Sequence, residues 1–192
     1  HVATKRETES LDQTEEMAIY HHVCRHSILE LCTEDLMSDD WTLVDYALYR
    51  LNEVCCKDSE KRSTSNRIRF VKAGGHALLV GVMKKFVQSP DIQVSACRLI
   101  QRFVEHENKG AFAELLTSVH GLDCIVKAMQ QFPSTDEENG EVHEYACGAL
   151  VALVCSSDKI AQRLVANPGH LRIFLLSIRA GNKVIGKCRI MN

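Results

Sequence analysis

From Phe70 to Val104 the chain reads FVKAGGHALLVGVMKKFVQSPDIQVSACRLIQRFV, an order of apolar and polar positions that predicts one helix, a turn and a second helix. The paired Gly74 and Gly75 permit a sharp turn before a helix over 76–87. Gln88 to Asp91 is a compact turn in which Pro90 stops that helix and Asp91 helps start the next, which ends near Glu105. The order recurs downstream. AFAELLTSVHG, LDCIVKAMQQF, the loop PSTDEENG and EVHEYACGALVALVC make a further unit, and DKIAQRLVANPGHLRIFLLSIRAG opens another. Upstream, MAIYHHVCRHSILELC sets Ile19, Val23, Ile28, Leu31 and Cys32 near one helical face. After TEDLMSDD, whose Ser38, Asp39 and Asp40 are candidate caps, a second helix runs from about Trp41 to Cys55, and KDSEKRSTSN reads as a loop.

The numbering tests the repeat. Gly75, Gly121 and Gly169 are 46 and 48 residues apart, and Ala47, Ala96 and Ala146 are 49 and 50 apart. Aligned on those alanines, Leu43, Ile92 and Val142 stand four residues before, Leu51, Ile100 and Leu150 four after, and Val54, Phe103 and Leu153 seven after. All are apolar, and the offsets trace one face of an α-helix. No isolated helix pair can hide such a face, so stacked units are expected, each stripe residue contributing about 1.5–3 kcal/mol when fully buried. The expected fold is all-α, a helical-repeat solenoid of about four units at residues 14–57, 66–107, 111–156 and 158–192, behind a charged lead-in at 1–13. The chain begins on His and its fourth unit stops short, which reads as a fragment of a longer protein.

Composition narrows the class. Aromatics are 6% and prolines three, which argues against a sandwich or barrel. The net charge of −2 is unevenly spread. Residues 1–60 carry five Lys/Arg against 14 Asp/Glu, residues 61–110 carry ten against three, and residues 111–192 carry eight of each. An acidic head and a basic waist can satisfy one another or meet a charged partner. The nine cysteines are odd in number and follow no disulfide spacing, so reduced thiols in the cytosol or nucleus are expected. The most apolar run, Ala146 to Cys155, has ten residues, short of the roughly 20 a membrane span needs, and no membrane role follows.

Ala73-Gly-Gly-His-Ala-Leu-Leu-Val-Gly-Val-Met83 and Val119-His-Gly-Leu-Asp-Cys-Ile-Val-Lys-Ala-Met129 resemble the second-helix signature of the armadillo repeat family, with the related HEAT repeats as second choice. Val44–Val54, Gln93–Phe103 and His143–Leu153 are similar to that family's long third helix. The resemblance implies a right-handed α-α superhelix whose third helices line a concave groove for extended peptides or partner helices, with no chemistry done there. Importin-type members carry Trp and Asn at fixed groove positions; the counterparts here are Tyr49, Arg98 and Gly148, and Glu53, Arg102 and Ala152. That ladder is missing, so binding of basic nuclear-localisation peptides is not implied.

Helical geometry places Asp45, Tyr49, Asn52 and Glu53, then Val94, Arg98, Gln101 and Arg102, then Glu144, Gly148, Val151 and Ala152 opposite the core stripe. The candidate partner-binding residues are therefore Asp45, Tyr49, Asn52, Glu53, Arg98, Gln101, Arg102, Glu144 and Gly148. One reading is a solvated helix face with incidental charges. The other has Arg98 and Arg102, one turn apart, holding acidic or phosphorylated partner side chains.

Other constellations carry less. His22 and His26 are four apart with Cys24 between them, but a zinc site needs a third and usually a fourth ligand, and no metal or other cofactor is expected. Cys97 and Cys147 share a slot with Leu48, Cys55 with Val104 and Val154, and Cys124 with Leu78, as core substitutes. The basic segment 57–109, above all Lys57, Lys61, Arg62, Arg67, Arg69 and Lys72, makes nucleic-acid binding the alternative function. Its one aromatic before the repeat helix, Phe70, is expected in the core rather than exposed for stacking. Gly74-Gly75 lacks the Lys-Ser/Thr of a phosphate loop, and no nucleophile elbow or zincin pair occurs, so no enzyme is expected. The function the sequence favours is a non-enzymatic interaction scaffold.

Overall fold

A computed structural model of the chain describes residues 29–57, 59–106, 110–133 and 140–188, the last ten for their backbone alone. All regular structure among them is helical. A helix over 29–35 (α1) is followed by α2 (Trp41–Asn52), a π-helical turn (Glu53–Lys57), α3 (Glu60–Lys72), α4 (Gly75–Lys85), α5 (Pro90–Glu105), α6 (Ala111–Ser118), α7 (Gly121–Gln131), α8 (Gly140–Ser156), α9 (Asp158–Ala166) and α10 (Pro168–Cys188).

The starts of the long helices are chemically marked. The Asp40 carboxylate accepts from Thr42 N at 2.9 Å, supplying one of the partners that a helix N-terminus lacks. Ser89 caps α5, and Pro90 is the first residue of that helix rather than the stop of the one before. Two of the three recurrent glycines, Gly75 and Gly121, serve contact more than rotation, while Gly169 has no comparable close contact. A Cβ on Gly75 would overlap the ring of Phe70, and one on Gly121 would lie 2.5 Å from Leu116 Cγ and 2.8 Å from its carbonyl oxygen. In both units the glycine lets the following helix cross tightly over a side chain five residues earlier.

Helix α5 packs against both α2 and α8, α4 against α3, α5, α6 and α7, and α10 against α7, α8 and α9. The alanines Ala47, Ala96 and Ala146 are fully buried, as are Ile92, Leu51, Ile100, Leu150 and Leu153, with Val142 and Phe103 nearly so. Phe70, Phe103 and Phe112 join α3, α5 and α6 through ring contacts at 5.5 and 5.0 Å between centroids. Two stripe positions depart from expectation. Leu43 is 44% exposed, its place taken by Val44; among the described residues α2 packs against fewer helices than α5 and buries a narrower arc. Val54 is only half-buried and Cys55 is fully buried, because the π-helical turn slips the register by one residue. Leu31 also points outward, while Leu29, Cys32 and Leu36 carry the core there.

The expected loop KDSEKRSTSN is helical from Glu60 onward. Ser63, Arg67 and Phe70, at helical spacing, are its buried face, and two of the three are polar. Arg67 donates to Cys55 O at 2.6 Å and to Thr64 Oγ1 at 2.9 Å, and Asn66 Nδ2 donates to Val54 O at 2.9 Å. The carbonyls at the π-helical turn are thus satisfied by α3, which locks the two elements together.

A second recurrent device appears three residues before the alanines. Gln93 Nε2 donates to Met83 O at 3.0 Å and Phe86 O at 2.9 Å, closing the C-terminus of α4. His143, the equivalent residue of α8, places Nε2 2.6 Å from Phe132 O at the end of α7, and its Nδ1 3.0 Å from the Ser177 hydroxyl of α10. Burial lowers the His143 pKa below the ordinary value, which fits a neutral ring donating through Nε2 and accepting from Ser177.

Candidate functional site

The face opposite the core stripe is shaped by the contacts of α2, α5 and α8. Asp45, Tyr49, Asn52 and Arg98 come together around a depression of about 400 Å³ between α2 and α5, together with Trp41, Thr42, Tyr46, Leu48 and Ser95. Trp41, Asp45 and Tyr49, at i, i+4 and i+8, run along one face of α2. Asp45 Oδ1 accepts from the Ser95 hydroxyl at 3.0 Å, tying α2 to α5 across the floor.

Arg98 stacks its guanidinium over the Tyr145 ring of α8, 4.2 Å from the centroid. Its Nε is buried without a hydrogen-bond partner. Arg102, one turn on, is exposed, and no hydrogen bond or ion pair among the described residues holds it. Arg102 is thus open to solvent, while the unpartnered Nε of Arg98 is buried, and both stand on a helix pinned between two others.

The remaining candidates have other roles. Glu53 pairs with Lys57 at 2.6 Å within the π-helical turn. Gln101 donates to Glu105 at 2.6 Å and packs on Gly148, where a Cβ would strike its amide, so these two are a contact between α5 and α8 rather than open lining. Glu144 is exposed beside Tyr145. The residue that helical reasoning missed is Trp41, the first of α2 and 53% exposed; its i−4 relation to Asp45 is the signal that marks it.

The basic waist is partly consumed inside the molecule. Lys57 pairs with Glu53, Arg67 is buried, and Lys85 pairs with Asp39 at 2.5 Å and donates to Ser38 O at 2.7 Å. Phe70 is buried, as expected. A larger cleft of about 890 Å³ lies beside α3, with Ile68, Val71, Phe103 and Phe112 among its lining, and none of the candidate groove residues reaches it.

Burial raises the pKa of the Cys97 thiol to about 12 and that of Cys147 to about 11, the direction of packing groups rather than nucleophiles. His22, Cys24 and His26 lie outside the described residues, as does the segment 1–13. Among the described residues no group of three or more His, Cys, Asp or Glu converges as metal ligands, and no helix is long and apolar enough to cross a membrane. No family model, no curated protein and no solved structure matches the chain.

Proposed function

We propose that the chain is an armadillo-like right-handed superhelix acting as a non-enzymatic protein-interaction scaffold, which holds an acidic or phosphorylated partner segment across the face shared by α2, α5 and α8. The observation that carries this reading is Arg98. A guanidinium stacked on Tyr145, with no carboxylate or carbonyl partner among the described residues, has its orientation set before any ligand arrives, which lowers the cost of ordering it on binding. Arg102 adds a second cation one turn along the same helix. The helical repeats, with their shared alanine register and their recurrent close-packed glycines, support the superhelix. Free cysteines such as Cys32, Cys55 and Cys97, buried in the packing, support a reducing compartment, cytosol or nucleus.

The test is binding of glutamate-rich and phosphoserine peptides to the wild type and to the Arg98→Glu, Arg102→Glu double variant. Charge reversal of two pre-oriented donors is expected to weaken binding at least about a hundredfold, the scale of two charge-assisted contacts. Equal binding by both proteins would falsify the reading.

A further inference from the structure

A smaller pocket, of about 310 Å³, opens between α4 and α7 beside the first turn of α5, and it shares no residue with the depression between α2 and α5. Its wall is apolar. Met83 and Ala128 are almost fully buried there and Val87 is half-buried. Gln93 also lines it, but both N–H groups of its amide are spent inside the molecule, on Met83 O at 3.0 Å and Phe86 O at 2.9 Å.

The charges at this pocket are unbalanced. Lys84 of α4 and Lys127 of α7 both line it and both are exposed, and among the described residues neither has a hydrogen bond or an ion pair. Their neighbours behave differently. Lys85, next to Lys84, is paired with Asp39. Asp123 stands four residues before Lys127, where a helical ion pair would form, yet its Oδ2 lies 3.1 Å from His120 Nδ1 and its Oδ1 3.6 Å from His170 Nε2. The buried Cys124 thiol belongs to the same wall. Burial raises its pKa while the fields of Lys84 and Lys127 act in the opposite direction, which sets both ammonium groups near one sulfur.

Two like charges that line one small pocket repel each other, and an anion held between them relieves that repulsion. The apolar wall behind them gains from contact with a carbon skeleton. We infer that the pocket between α4 and α7 binds a small organic carboxylate. Its head group bridges Lys84 and Lys127 through charge-assisted hydrogen bonds, and its apolar body lies on Met83, Val87 and Ala128. The volume equals that of about ten waters at about 30 Å³ each, so the ligand has roughly ten non-hydrogen atoms. Met83, unbranched, adapts its side chain to the shape of that body. A bare pair of surface lysines would take any anion alike, whereas the apolar wall makes the body of the ligand matter. The site stands apart from the proposed peptide groove and does not depend on it.

The probes are octanoate, its neutral amide octanamide, and acetate, each titrated to about 10 mM into the whole chain with isotope-labelled methionine methyl groups. The readout is the Met83 methyl resonance, assigned by Met83→Leu. Octanoate is expected to shift it saturably and to bind at least about tenfold more tightly than octanamide or acetate, with an affinity that falls as salt rises. Lys84→Gln combined with Lys127→Gln is expected to weaken octanoate at least about tenfold and to leave octanamide as it was. Lys61→Gln combined with Arg69→Gln removes as much charge from exposed positions of α3 and is expected to leave octanoate binding unchanged. All four positions are exposed, so these variants keep the fold and the result bears on the site itself. Octanamide binding equal to that of octanoate, or equal weakening by the two double variants, would overturn the site. Acetate binding as tightly as octanoate would reduce it to ion association at two surface lysines, and the absence of a saturable Met83 shift would remove it altogether.

Discussion

Helices α2 and α5 start from one alignment, with Ala47 and Ala96 at equivalent places and both fully buried, and they diverge at each end. Helix α5 touches α2, α4, α6 and α8 and buries Ile92, Gln93, Ala96, Cys97, Leu99, Ile100, Phe103 and Val104. Helix α2 buries only Val44, Ala47, Leu48 and Leu51, leaves Trp41, Leu43, Tyr46 and Tyr49 exposed, and gives way to a π-helical turn where α5 continues as an α-helix. The same sequence pattern therefore yields a packing helix in α5 and a packing helix with an exposed aromatic face in α2. Among the described residues the two helices differ in how many neighbours cover them, which their own periodicity does not encode.

The largest effect that separates the two is expected at the equivalent pair Ile92 and Leu43. Ile92→Ala leaves a cavity in a fully buried site and is expected to cost about 2–5 kcal/mol, whereas Leu43→Ala, at a half-open position, is expected to stay within about 0.5 kcal/mol. Urea unfolding of both variants measures this. Equal losses would mean that α2 is covered as completely as α5.

That pair also marks how far the sequence could be read. The alanine register and the glycines Gly75 and Gly121 are legible because each is a packing requirement that repeats, and Phe70 belongs to the core on the same ground. The start of α3 was not. Its buried face is Ser63, Arg67 and Phe70, so a search for apolar periodicity finds one residue in three and reads KDSEKRSTSN as a loop, although Ser59 and Glu60 stand where a helix start places them. The π-helical turn was likewise hidden, since an added residue in a helix changes no residue type and shows only as Cys55 inward and Val54 half out. At the candidate site, helical spacing located Arg98 opposite the core but could not reveal that it rests on Tyr145, a contact across helices from different units.

A smaller effect distinguishes two basic residues of α3 that look alike in sequence. Arg67→Met keeps the apolar stem but leaves the Cys55 carbonyl without its donor in a buried place, and is expected to cost about 1–3 kcal/mol. Arg69→Met, at an exposed position, is expected to lie within about 0.5 kcal/mol. Thermal unfolding of the two variants decides whether the basic waist is uniform surface charge or, as the hydrogen bonds indicate, partly internal structure; equal melting temperatures would favour uniform charge.

The smallest effect concerns the two capping residues three places before the alanines, Gln93 in α5 and His143 in α8. Gln93 cannot titrate, so its closure of α4 is independent of pH. His143 can. Burial depresses its pKa in the folded chain below the ordinary value near 6.5, so the unfolded chain binds the proton more readily. The contribution of His143 is therefore fully present above about pH 6.5 and is lost as pH falls from there through the folded value. Within the site Phe132 O accepts from Nε2 and the Ser177 hydroxyl meets Nδ1, and no carboxylate among the described residues is bonded to the ring to stabilise a charged form. His143→Gln copies the arrangement of α5 in α8 and retains an N–H for Phe132 O. Its stability, measured by urea unfolding between about pH 7.5 and pH 5, is expected to fall less steeply than that of the wild type. Parallel curves for the two proteins would show that the proton is taken up elsewhere, and that the two units close their preceding helices in the same pH-independent way.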